Sequence, residues 1–90
     1  MECRFNMNKD ISVNVVRAII QDIYGRYGLE QYFRNLKPES QVEIYESWIE
    51  VVSKELKKEG LLEQEYEPLK VDEMSFVEIV NRTSYYLKND

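Results

Sequence analysis

ESQVEIYESWIEVVSKELKKE, residues 39–59, sorts its side chains onto two halves of a helix. With successive residues about 100° apart, Val42, Ile44, Tyr45, Trp48, Ile49, Val51, Val52 and Leu56 fill one half of the circle. Glu39, Glu43, Glu46, Glu50, Lys54, Lys57 and Lys58 fill the other. An apolar stripe about 100° wide docks a helix against one neighbour, whereas an arc of roughly 180° asks for two neighbours or a second chain. This stretch therefore predicts an all-α fold with one central amphipathic helix over residues 38–59. Pro38 suits its first turn, where a missing N–H costs nothing. Glu39 complements the positive helix end, and Gly60 is its stop signal.

Working outward, the chain before this helix predicts a first helix over residues 10–27. Asp10 and Ser12 are both good N-caps. Val15, Val16, Ile19, Ile20, Ile23, Tyr24 and Tyr27 share one half of the circle, with Asn14, Arg17, Gln21 and Asp22 opposite. Gly28 terminates it by adopting the left-handed conformation, and Gly25 weakens its last turn. Leu29, Tyr32, Phe33 and Leu36 then stand at i, i+3, i+4 and i+7 in a short helix, 29–36. A helix of that length holds only by packing. Residues 1–9 read as an arm in which Cys3, Phe5 and Met7 alternate with Arg4 and Asn6.

After the central helix, Pro68 forbids a helix through residues 61–71. The stretch reads as a connection crossing the bundle, anchored by Leu61, Leu62 and Leu69, with a short strand pairing to residues 3–7 as the alternative. A last helix is predicted over residues 73–88, capped by Asp72. Its buried face is Phe76, Ile79, Val80, Thr83 and Leu87, with Val77 and Tyr86 at the edges. Met74 and Tyr85 project on the opposite side as an exposed pair. The whole is a compact bundle of three main helices plus the short one, a single domain over residues 10–90.

Bulk properties narrow the function. At 90 residues, 43% hydrophobic and 32% charged, the chain is long enough for one modest core and too apolar for disorder. No apolar run approaches the roughly 20 residues of a membrane helix. The N-terminus lacks the basic-then-apolar pattern of a secretory signal, and a lone Cys3 provides no disulfide framework. The cytoplasm is the expected location. The net charge of −5 is uneven. Residues 1–38 carry six basic and four acidic side chains, +2, and residues 39–90 carry six and thirteen, −7. An acidic chain repels phosphate backbones, so direct nucleic-acid binding is disfavoured. A helix-turn-helix reading fails for the same reason, because the would-be recognition helix opens with Glu39 and Glu43 where bases and phosphates would lie.

Catalytic signals are sparse. The chain has no histidine, the most common general base and metal ligand. Cys3 has no histidine partner to activate it, and the three glycines are scattered rather than gathered in a phosphate loop. Glu43, Glu46 and Glu50 offer oxygen ligands of the kind Mg²⁺ prefers. Glu43-x-x-Glu46 resembles the first half of the metal motif of all-helical nucleotide pyrophosphohydrolases of the MazG type. The second acidic motif of that family has no counterpart at the right spacing among Asp72, Glu73 and Glu78, so its ligand set does not carry over. No enzyme, metal or cofactor is expected, and a Mg²⁺-dependent carboxylate hydrolase is the minor alternative.

The main expectation is a small acidic module that binds another protein as its regulator or inhibitor. A row of carboxylates imitates phosphates and fits a basic groove, and Glu39, Glu43, Glu46 and Glu50 span about three turns, roughly 16 Å by helix rise. Glu63, Glu65 and Glu67 add a second cluster. In length, acidity and composition the chain is similar to small inhibitors of phages and mobile elements that mimic nucleic-acid charge. Seven tyrosines and one tryptophan also suit an interface. If the bundle leaves Ile44, Trp48 and Val51 uncovered, a homodimer is the alternative.

Overall fold

The computed structural model describes residues 8–88, with side chains from Ile11 onward. Among them are four α-helices and no strand: α1 (Asn8–Ile23), α2 (Leu29–Arg34), α3 (Pro38–Lys58) and α4 (Phe76–Leu87). A 3₁₀ turn, Val71–Glu73, precedes α4. α3 packs against both α1 and α4, and those two pack against each other. The central amphipathic helix thus has the two neighbours its wide arc asked for.

Helix ends follow local chemistry. Pro38 opens α3. At its other end Gly60 adopts φ 79°, the Gly60 N–H donates to the Lys57 carbonyl at 3.0 Å, and the Leu61 N–H reaches the Leu56 carbonyl at 2.8 Å. This paired closure is a Schellman motif, which depends on the left-handed glycine. α1 begins at Asn8, inside the stretch read as an arm, and stops at Ile23 rather than Tyr27. Its last turn tightens into i→i+3 bonds through Gly25 and Arg26. Gly28, at φ 96°, opens α2 instead of closing α1. The N–H of Gly28 donates to Gln31 Oε1 at 2.6 Å. α4 begins three residues later than the sequence suggested. Ser75 rather than Asp72 is its N-cap, and Ser75 and Glu78 form a reciprocal capping box. Asp72 lies in the 3₁₀ turn. The remaining arm residues, 1–7, and any strand pairing to residues 3–7 lie outside the described residues.

α2 survives at six residues because of its neighbours. Phe33 is buried, with its ring 5.9 Å from those of Tyr45 and Trp48. From α3, Gln41 Nε2 donates to the Phe33 and Leu36 carbonyls at 3.0 and 3.1 Å, satisfying acceptors that a helix C-terminus leaves open. Tyr45 continues the aromatic chain to Tyr86 of α4, edge to face at 4.9 Å.

The helices are rotated relative to their sequence-predicted faces. On α3 the buried residues are Val42, Tyr45, Glu46, Ile49 and Ser53. At 100° per residue their centre lies roughly 80° from the middle of the apolar arc. On α1, Ser12, Val13, Val16, Arg17 and Ile20 are buried, while Val15 and Ile19 face outward. On α4, Ile79 and Tyr86 are buried and Phe76, Val77, Val80 and Leu87 are exposed. That is a turn of roughly 70° from the predicted face. Met74 and Tyr85, expected outside, pack against the core instead. The physical reason is common to all three helices: each turns a charged side chain inward, Arg17, Glu46 and Arg82.

Candidate functional site

Glu46 lies on α3 one turn after Val42 and one before Ile49, at the side that meets α4 and the connection. It is 1% exposed. Its Oε1 accepts from the Tyr66 hydroxyl at 2.7 Å and from the Leu69 N–H at 2.9 Å. Its Oε2 accepts from Arg82 Nε at 3.1 Å, Arg82 Nη2 at 2.8 Å and the Tyr86 hydroxyl at 2.7 Å. Arg82 Nη2 also donates to the Tyr66 hydroxyl oxygen at 3.0 Å. Burial by itself pushes a carboxyl up. Here the Leu69 N–H, the Tyr66 and Tyr86 hydroxyls and Arg82 outweigh it and hold Glu46 below the ordinary carboxylate range. Burial, reinforced by the bond to Glu46, pushes both the Tyr66 and the Tyr86 hydroxyls up. Arg82 loses some hydration, but Glu46 more than compensates and raises its pKa.

The cluster extends from Arg82 towards α1. The Tyr85 ring sits between two guanidinium groups, with Arg17 at 4.2 Å and Arg82 at 4.7 Å from its centroid. Arg17 and Gln21 both donate to the Lys88 carbonyl. Cations and donors at a helix C-terminus complement its dipole and its open carbonyls. A carboxylate has about four lone-pair sites. Five bonds occupy those of Glu46, so none is left for a metal ion or a reacting proton. The cluster is a clamp joining α3, α4 and the connection.

The clamp also fixes the acidic surface. Residues 61–70 form neither helix nor strand and run along the Glu46–Ser53 side of α3. The Tyr66 N–H donates to Ser53 Oγ at 2.9 Å, one turn or more beyond the contacts to Glu46. Leu62 is buried, but Leu61 and Leu69 are exposed, so the anchors are Leu62, Tyr66 and the Leu69 backbone. Glu65 and Glu67 flank the inward Tyr66 and are exposed, as is Glu63. Glu39 and Glu43 are exposed on α3, and Glu50 is half-buried, 3.7 Å from Lys54. Glu43 and Asp72 line a groove of about 430 Å³ between α3 and the connection, with Lys70 on its wall.

Of the seven carboxylates expected on a contact surface, Glu46 is therefore a correction. It belongs to the interior, because Arg82 and two tyrosines draw it there. The Glu43-x-x-Glu46 pair is split, one side chain outward and one inward, and among the described residues no three acidic, His or Cys side chains gather as a metal site. The Ile44–Trp48–Val51 lobe also divides. Ile44 and Trp48 pack against the core, Trp48 against Phe33 and Tyr45, and only Val51 stands out at 58% exposed. A sequence signal for the clamp did exist. Arg82 lies at i+3 from Ile79 and four before Tyr86, so if that side of the helix is the buried one, a cation there requires a carboxylate.

The chain matches no known protein family, no curated protein and no solved structure. Its function must be read from the geometry. Among the described residues no helix is long and apolar enough to cross a membrane.

Proposed function

We propose that the chain is a non-catalytic protein-binding module that regulates or inhibits a partner with a basic surface. Glu39, Glu43 and Glu50 of α3, with Glu63, Glu65 and Glu67 of the connection, are its contact residues. The observation that carries this reading is the clamp. Through Tyr66, Leu69 and Ser53 the connection is bound to α3, so the stretches that carry the two sets of carboxylates are held to one framework before any partner arrives. Holding charges in place before binding reduces the entropy lost on association. The interior disposition of Glu46 also favours a binding role over hydrolysis, since both of its oxygens are engaged by Tyr66, Leu69, Arg82 and Tyr86.

Charge reversal tests this reading. Immobilised wild-type chain should retain a basic protein from native cell extract and release it as salt rises, since exposed charges are screened beyond about 8–10 Å. Glu43→Lys with Glu65→Lys should abolish retention with the melting temperature unchanged. Equal retention by the variant at matched salt overturns the proposal.

A further inference from the structure

We infer that the outward face of α4 pairs with the same face of a second copy of this chain, antiparallel about a two-fold axis. The starting observation is where the charges of α4 go. The helix has two, Glu78 and Arg82. Glu78 turns back to accept from the Ser75 N–H at 2.8 Å, and Arg82 turns inward to Glu46. The Val77–Val80–Ser84–Leu87 row consequently carries no charge in a chain that is 32% charged, with Glu78 exposed beside it and engaged by the Ser75 N–H. It presents Phe76 at 69% and Val77 at 65% exposed, followed by Val80 and Leu87.

The pattern on that face has a specific form. Val77, Val80, Ser84 and Leu87 follow the 3–4–3 spacing of a two-helix seam. Ser84 in its second half is small, which lets two backbones approach. The ends are complementary: Asp72 and Glu73 lie exposed just before the helix and Lys88 just after it. In an antiparallel pair each acidic end meets the partner's Lys88, and the two helix dipoles oppose. A parallel pair would bring acid to acid. Two copies each carrying −5 repel through the α3 and connection surfaces, whereas the α4 seam contains no carboxylate. Charge complementarity thus favours a second copy over a basic partner on this face. A helix of 12 residues offers less than the roughly 800 Å² per partner of a standard interface, so the association is weak and concentration-dependent. Apart from Asp72, which lines the groove beside Glu43, these residues are distinct from the proposed acidic contact surface, and either assignment can fail without the other.

Sedimentation of the full chain from micromolar to near-millimolar concentration tests the inference, with helicity followed in parallel. Wild type should pass from monomer to dimer. Val77→Glu with Val80→Glu, both at exposed positions, should weaken dimerisation by about a hundredfold or more while melting as wild type does. Lys88→Glu should weaken it, and Lys88→Glu combined with Glu73→Lys should restore it. Val15→Glu with Ile19→Glu, on the outward face of α1, should leave it intact. A wild-type monomer throughout, dimerisation unaffected by the α4 changes, or dimerisation abolished by the α1 changes overturns the assignment.

Discussion

Replacing Glu46 by glutamine removes a charge and almost no volume, so it isolates what the buried clamp contributes. The amide has one oxygen where the carboxylate has two. Its NH₂ group must face either the Tyr66 hydroxyl and Leu69 N–H or the Arg82 guanidinium and Tyr86 hydroxyl, which puts donor against donor. Arg82 then remains largely buried without its counter-charge. Removing one partner of a buried ion pair costs about 3–5 kcal/mol. The Arg82 side chain is 22% exposed and that of Glu46 is 2% exposed, so water recovers part of the loss and the lower end applies, about 3 kcal/mol. A domain of this length has roughly 5–13 kcal/mol of stability in total. At 4–8 °C per kcal/mol for small domains, the expected fall in Tm is about 12 °C or more. Thermal unfolding followed by far-UV circular dichroism at neutral pH reads it directly. Glu46→Leu with Arg82→Met should lose less than the sum of the two single changes by about 2 kcal/mol, because the double variant leaves no uncompensated charge. A Glu46→Gln Tm within about 2 °C of wild type, below the shift from 1 kcal/mol, would refute the reasoning. Strict additivity in the cycle would do so too.

Two further outcomes follow from the same structure. Because Glu46 is held below its ordinary value, the unfolded chain binds its proton more readily. The contribution is therefore present above the unfolded carboxyl pKa, about 4.3, and is lost as pH falls through the lower folded value. Acid titration of Tm should show this loss in wild type and a flatter profile in Glu46→Gln, and parallel profiles would contradict the assignment. Gly60→Ala should cost about 1–2 kcal/mol, read as a lower urea midpoint. A Cβ there meets no atom within 4 Å, so the whole cost is the positive φ, and an unchanged midpoint would remove the Schellman closure from the account.

Much of the fold was legible because it depends on near neighbours in the chain. Pro38 and Gly60 set the ends of α3 through backbone rules that hold in any tertiary setting. The i, i+3, i+4 spacing around Phe33 located α2, and Pro68 excluded a helix across the connection. The start of α4 was missed although Ser75-x-x-Glu78 spells a capping box. Asp72 was a competing cap three residues earlier, but its N3 position is Ser75 and cannot complete a capping box, whereas Ser75 has Glu78 there.

Helix rotation was the part that amphipathicity misjudged. A hydrophobicity pattern assigns charged residues to solvent, so it turned Arg17 and Glu46 outward, left Arg82 out of the buried face, and brought Val15, Ile19, Phe76, Val80 and Leu87 in. Burying a charge is unfavourable for each residue alone and becomes acceptable only when the three meet among Tyr66, Tyr85, Tyr86 and the Leu69 backbone. That cluster joins positions up to 71 residues apart, from Arg17 to Lys88.

The residue order alone determined an all-helical bundle, a central third helix and where that helix stops, because capping and periodicity act within a few residues. Only the tertiary structure decided which sides of the helices look inward, which glutamate leaves the acidic surface, and why an apolar row remains outside on α4. The energy of an ion pair is a property of two partners brought together in space, and neither partner's sequence neighbourhood contains the other.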